Sequence, residues 1–295
     1  ALGCPDWRSR EILEKGPRFG FDGVEIRLLE RETDLLQRPE FAASQRAARR
    51  RELEDAGFHV CGLASSVRFD EPENEQRAAR LSDGFRYLDL ARELGAKFVR
   101  VFGDVLPKEA DDAAKETVVG NIAEGLQKLG ERAESVGVGI VIETHGDFAD
   151  SRRMQNLMQR VASPTVGLLW DTHHPWRFYG EELSASFERL KPWIRHTHWK
   201  DSVARAKREP TGESSAAESQ AHALMSGRKP ADYVLFGGGE FPIPDALSLL
   251  DQIGYDGWFS LEWEKMWHPE IEAPEIALPL FAGKMRMFER LLRPA

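Results

Sequence analysis

Four residues carry the chemical interest of this sequence: Glu143 in VIETH, Asp171 in LLWDTHH, His198 in RHTHWKD and Glu262 in FSLEWE. Each closes a short apolar run, and each is a metal-ligand type. Three carboxylates and one imidazole brought together repel one another and are costly to desolvate. A shared divalent cation removes that cost. An oxygen-rich set with one nitrogen suits Mn²⁺ first, with Mg²⁺, Co²⁺ or Zn²⁺ as alternatives. A single Glu or Asp in such a place is more often a helix cap, and a lone His is more often a hydrogen-bonded structural residue. The signal is the succession of all four.

Further candidates flank them. His145 lies two residues beyond Glu143, so strand alternation gives it the same facing. It suits a general base near neutral pH, or else a hydrogen-bonded helix-entry residue. Glu143, His145 and Glu262 are therefore the catalytic candidates. His174, three after Asp171, is placed to touch substrate or the outer shell of the metal, while His173 points away. His196 shares the facing of His198 and orients it. Glu264 is a second choice to Glu262 as ligand. Arg27 and Arg100 are candidates for binding a substrate oxyanion, the alternative being an internal ion pair. Lys200 joins the substrate-binding candidates, with a pairing to Asp201 as the other option. Of the tryptophans near run ends, Trp7, Trp176, Trp263 and Trp267, Trp7 is assigned to substrate by stacking; ordinary packing is the competing role.

One joint recurs along the chain and must position these residues. A helical pattern ends, a Gly follows, and an apolar run rich in Val, Ile and Phe comes next. It appears at Gly20, Gly57, Gly95, Gly137 and Gly254. Gly suits the left-handed residue that closes a helix, and a wholly apolar run suits a parallel strand covered on both faces. VGLLWD and IRHTHWK enter after Pro164 and Pro192, which makes seven strands. Between them, Val118, Ile122, Leu126, Leu129, Ala133 and Val136 mark one helix face, and Leu81, Phe85, Leu88 and Leu94 another. Alternation of strand and helix predicts an α/β fold, a single-domain (β/α)8 TIM barrel over residues 1–295. Only Ala1 to Cys4 remain for the first strand, which is therefore short or truncated. An open doubly wound sheet is the competing fold, weakened by the lack of a phosphate-binding glycine motif after an early strand. Residues 203–233 are polar and turn-rich and read as a long loop or lid.

Composition narrows the partners. Forty basic against 49 acidic residues give a net charge of −9, which disfavours nucleic acid. The eight histidines are too few for a three-metal nuclease on the same barrel. No apolar run approaches the ~18 residues that span a bilayer. Cys4 and Cys61 read as free thiols of a cytoplasmic protein. The chain starts at Ala1 without a Met or a signal peptide, as a trimmed chain would.

With these motifs the chain resembles the xylose isomerase-like superfamily, in particular its sugar phosphate isomerase/epimerase group, from GFDGVEIR to GYDGWFSLE. That pattern has a Glu ending strand five, Asp-x-x-His ending strand six, His-x-His ending strand seven and Glu ending strand eight. Here it falls on Glu143, Asp171 with His174, His196 with His198, and Glu262. GGGEFPI is similar to the group's Gly-rich loop. The resemblance implies one Mn²⁺-type ion, a small carbohydrate-like substrate, and an isomerase or epimerase that works through a metal-stabilised enediolate with two glutamates on opposite faces. ETHGD and HWKDS depart from the epimerases and look more like a branch of deglycosidases acting on 3-keto C-glycosides. There a His after the strand-five Glu serves as base, and the enzyme is a lyase. The resemblance implies a homo-oligomer, or a small partner subunit in the deglycosidase case.

Overall fold

The computed structural model describes residues 1–204 and 231–292. Seven parallel strands form one sheet in sequence order: β1 (Gly23–Ile26), β2 (His59–Arg68), β3 (Phe98–Phe102), β4 (Gly139–Glu143), β5 (Val166–Asp171), β6 (Ile194–Trp199) and, after an antiparallel pair, β9 (Phe259–Leu261). These are the seven runs expected from the sequence. Helix α1 (Ser9–Arg18) precedes them, α2 (Ala43–Asp55), α3 (Asn74–Leu94), α4 (Asp112–Val136), α5 (Ser151–Arg160), α6 (His173–Tyr179), α7 (Leu183–Leu190) and α8 (Ile243–Gln252) run between them, and α9 (Pro274–Leu292) follows the last strand. The result is a nearly closed single-domain (β/α)8 barrel.

Local chemistry explains the joints. All five expected glycines have positive φ, from +62° at Gly57 to +89° at Gly20, a region open to Gly without a Cβ penalty. α4 starts on Asp111, whose carboxylate accepts from Ala114 N at 2.8 Å, and ends on Gly137. Its face of Ile122, Leu126, Leu129 and Ala133 is fully buried against the sheet side of the core. Each such Leu or Ile contributes about 1.5–3 kcal/mol relative to exposure. β5 is buried along its whole length, as a strand covered on both faces must be.

The barrel closes imperfectly. Residues 1–4 lie between β1 and β9 but form no ladder: the Ala1 ammonium donates to Glu25 O at 2.7 Å, and a Cβ on Gly3 would come within 2.9 Å of Trp263 Cβ. The short first strand is thus a filler segment at a seam. A cleft of about 590 Å³ follows this seam, lined by Ala1, Gly3, Trp7, Phe21, Cys61 and Trp258 among others.

The expected lid lies outside the described residues from 205 to 230. Its two ends differ from the patternless reading. β7 (Asp201–Ala204) and β8 (Ala231–Val234) pair antiparallel, with Ser202 opposite Tyr233. The glycine loop that follows is gathered by Asp201, whose carboxylate accepts from the N–H of Gly237, Gly239 and Phe241. A Cβ on Gly239 would sit 2.2 Å from Asp201 Oδ1, so the residue type is set by close approach. Among the described residues no helix is long and apolar enough to cross a membrane.

Candidate functional site

The register of the parallel strands brings the four key residues to one rim. Asp171 pairs directly with His198 across β5 and β6, and Trp199 pairs with Leu261, which places Glu262 one step beyond the end of β9. Glu143 ends β4 next to them. One ligand atom from each of Glu143, Asp171, His198 and Glu262 lies within 4.8 Å of all the others. A single ion about 2.0–2.6 Å from each atom spans such a set.

Unsatisfied atoms test whether a cation fits. Glu143 Oε1 and Oε2 and His198 Nδ1 are buried without a hydrogen-bond partner among the described residues, although buried polar atoms are almost always paired. His198 Nδ1 stands 3.5 Å from both Glu143 Oε1 and Glu262 Oε2. The donor set, three carboxylates and one imidazole, fits a divalent ion. Asp171 combines the cap role and the ligand role. Its Oδ1 accepts from the N–H of His173 and His174 at the start of α6, while Oδ2 turns inward.

Around this core the other candidates take distinct places. Lys200 is 1% exposed, and its Nζ meets Asp171 Oδ2 at 3.0 Å, Glu264 Oε1 at 3.1 Å and Glu262 Oε2. It does not pair with Asp201, because successive residues of an extended chain point to opposite sides and Asp201 is engaged with the glycine loop. Lys200 also donates to His174 Nε2 at 2.9 Å. His174 Nδ1 faces the Thr144 carbonyl at 2.9 Å; a carbonyl only accepts, so Nδ1 carries the hydrogen and Nε2 the lone pair. His173 points away, to Ser202 Oγ at 2.7 Å. Glu264 belongs with Lys200 and His174 rather than with the four converging residues.

His145 follows Glu143 in extended conformation. Its Nδ1 lies 2.9 Å from Asp104 Oδ1, which leaves Nε2 free to accept a proton. Gly146, at φ +58°, presses this turn against the backbone of Asp104, where a Cβ would come within 2.4 Å of Asp104 O. Arg100 is buried with Nε 3.4 Å from Glu143 Oε2 and its guanidinium 3.8 Å from the Phe102 ring, the internal ion pair weighed against oxyanion binding. Arg27 donates to Ser66 Oγ at 3.0 Å and lies toward the carbonyls of Thr33 and Ala64. Trp7 does not join the site. Its ring packs on Phe19 at 6.1 Å under Lys15 Nζ and lines the seam cleft, so packing wins over stacking on substrate. Trp263 is likewise buried, donating to Glu272 O.

Electrostatics follow from this crowding. Burial, with Glu262 and Glu143 close by, pushes the Asp171 carboxyl up to about 7 despite Lys200. Burial opposes the charge on Lys200, but Asp171, Glu262 and Glu264 hold its pKa well above the usual lysine value. Burial also opposes charge on Glu262, yet Lys200 and His198 hold it well below the carboxylate range. His145 is raised: burial lowers it, and the Asp104 contact outweighs burial.

Two residues escaped the sequence reading. Glu25 on β1 accepts from His196 Nε2, His198 Nε2 and Ser260 Oγ; the signal was a carboxylate inside the apolar run GVEI. Asp104 stands two residues past the end of β3, the strand next to the one that ends in Glu143.

Comparison with known proteins agrees with this architecture. An inosose dehydratase of Klebsiella pneumoniae subsp. pneumoniae is 24% identical over 256 residues, 81% of this chain and 78% of that protein. A solved structure named IOLI, containing a zinc atom, superposes with a TM-score of 0.73 at 18% identity, covering 100% of this chain and 97% of the other. L-ribulose 3-epimerase superposes at 0.71 and 16% identity, covering 98% and 92%. At those identities the structural likeness speaks for the fold. Residues 13–280 match the family model described as the xylose isomerase-like TIM barrel, and the chain belongs to that family.

Proposed function

We propose that this protein is a divalent-cation-dependent enzyme that removes a proton beside the carbonyl of a sugar, keto-sugar or inositol derivative. Glu143, Asp171, His198 and Glu262 would hold the cation, Mn²⁺ first among the candidates given the oxygen-rich set. When bound, the cation supplies positive charge to neighbouring substrate oxygens. His145 Nε2, its ring fixed through Nδ1 by Asp104, takes the proton from carbon. Lys200, His174 and Arg27 would line the place where a polyhydroxylated ketone is held, with Arg100 behind them paired to Glu143. The curated relatives are named for inosose dehydration, and a structural neighbour for ribulose epimerisation; both names fit a start by deprotonation next to a ketone.

The observation that favours one outcome is the contact of Lys200 with Glu262. Epimerisation asks a second base to return a proton on the opposite face. Here the carboxylate suited to that task is neutralised by an ammonium group. Lys200, held charged well above the usual lysine pKa by its carboxylate neighbours, instead supplies fixed positive charge beside a leaving oxygen. The favoured course is elimination: His145 takes the α-proton, the C–H electrons form C=C, the β C–O bond breaks, and the departing oxygen takes that proton back from His145. The products are an unsaturated ketone and water, or an aglycone if the substrate is a 3-keto-glycoside. Isomerisation or epimerisation is the second reading, supported by the inward-facing pair Glu143 and Glu262.

The test is incubation of Mn²⁺-loaded protein in D₂O with a panel of ketoses, keto-inositols and 3-keto-glycosides. Deuterium entry at the carbon beside the carbonyl is expected, with release of water or aglycone for elimination and an epimer for the second reading. His145→Ala, with the cation retained, is expected to lose exchange at least about a hundredfold, the scale of a general base. Absence of exchange across the panel by the loaded wild type sinks the proposal.

A further inference from the structure

We propose that Glu25 is a positioning residue that selects which nitrogen of His198 faces the cation, a reading that rests on the metal site proposed above. Glu25 comes from β1, across the seam from β9, and its side chain is 9% exposed. One oxygen, Oε2, receives His198 Nε2 at 2.8 Å, His196 Nε2 at 2.9 Å and Ser260 Oγ at 2.9 Å. An ionised carboxylate only accepts. Both imidazoles must therefore carry hydrogen on Nε2. In the neutral ring that a cation requires, this leaves Nδ1 of His198 as the lone-pair nitrogen, and Nδ1 is the atom turned toward Glu143 and Glu262. His196 supports the arrangement from the side, its ring centroid 5.7 Å from that of His198. The ring of His198 is thus held at one edge and offers the other.

Metal-ligating histidines are commonly fixed in this way by a carboxylate on the far nitrogen, and loss of such a partner typically weakens metal binding about 10–100-fold. A Gln at position 25 keeps the shape but can donate as well as accept. It permits the opposite tautomer of His198, in which Nδ1 carries the hydrogen and cannot bind a cation. A competing reading makes Glu25, Cys61 and His196, whose ligand atoms also gather within 4.8 Å, a second metal site. The three donors already on Glu25 Oε2 argue against it.

The experiment is calorimetric titration of the metal-free full chain with Zn²⁺, using wild type, Glu25→Gln, Glu25→Asp and Glu143→Gln, with circular dichroism to check folding. Wild type is expected to bind one equivalent, Glu143→Gln none, and Glu25→Gln one equivalent about 10–100-fold more weakly, with Glu25→Asp between. Long-range ¹H–¹⁵N spectra of Zn²⁺-loaded wild type need no variant; they are expected to show His198 bound through Nδ1 with hydrogen on Nε2. Coordination through Nε2 overturns the proposal, as does wild-type affinity in folded Glu25→Gln. A second equivalent lost on changing Glu25 overturns it in favour of a second site. Failure of the wild type to bind Zn²⁺ would instead overturn the metal-site reading beneath it.

Discussion

Replacing Lys200 with Met removes one positive charge and keeps the length of the side chain. In the native protein that ammonium is 1% exposed and faces three carboxylates, Asp171, Glu262 and Glu264. At 3.0 Å from Asp171 Oδ2, one such attraction is worth about 5.5 kcal/mol at an effective dielectric of about 20. Part of this offsets the cost of burying the ammonium, so the whole is not lost. Removing one partner from a buried ion pair leaves uncompensated charge and costs about 3–5 kcal/mol. The orphaned carboxylates can limit that cost by taking up protons, as the raised Asp171 already tends to do. The folded variant then binds more protons than its unfolded chain, so its stability falls as pH rises. For metal-free Lys200→Met we expect a loss of about 3–5 kcal/mol near pH 8, a smaller loss near pH 5, and a partial recovery with saturating divalent cation. Equilibrium urea unfolding measures each value. A loss under about 1 kcal/mol, or a penalty that grows as pH falls, would refute the reasoning.

Other outcomes follow from the same geometry. Cation ligands must be deprotonated, while burial and like charge push Asp171 up to about 7 and His198 is raised well above its usual value, the carboxylates of Glu25 and Glu262 outweighing its burial. Apparent cation affinity should therefore fall about tenfold per pH unit for each proton displaced, as pH drops from about 8 to about 6; calorimetry showing flat affinity contradicts this. Cys4 and Cys61 are both free and buried, and burial pushes both thiols up. Neither should react with a thiol reagent until denaturant is added, and rapid labelling of the native protein would count against the packing described. Gly239→Ala should destabilise the loop held by Asp201 by at least about 1–3 kcal/mol, since overpacking forces a shift; an unchanged thermal midpoint would refute the close approach.

The architecture was legible because its signals are local. A Gly that closes a helix and an apolar run that follows need no knowledge of the rest of the chain. The four strand-ending residues were legible for the same reason, since parallel strands in a barrel bring their ends to one rim. What escaped was set by distance in sequence. His196 and His198 are 171 and 173 residues from the Glu25 that holds them, and no spacing rule links them. Asp104 and His145 are 41 residues apart and meet only because β3 and β4 are neighbours. The alternative pairing of Lys200 with Asp201 rested on adjacency in sequence, whereas the Lys200 partners, Asp171, Glu262 and Glu264, lie on or just past other strands. The packing of Trp7 on Phe19 was not legible, because an aromatic near a strand end carries no direction. The ends of the 203–233 segment formed a strand pair from short, polar runs whose pairing depends on each other rather than on apolar periodicity.

The seam has one more consequence. Between β1 and β9 no backbone ladder runs among the described residues; the side-chain bond from Glu25 to Ser260 links the two edges instead, and the bonds of Glu25 to His196 and His198 tie β1 on to β6. Regions with few backbone bonds open first in native-state hydrogen exchange. Unzipping there would release His198 from its hold, so ligand occupancy and closure of the barrel draw on the same few contacts. By mass action, whatever binds the closed form favours it: amides of β1 and β9 should exchange more slowly once a cation is bound, while those of β3, which supplies none of the four proposed ligands, should respond less.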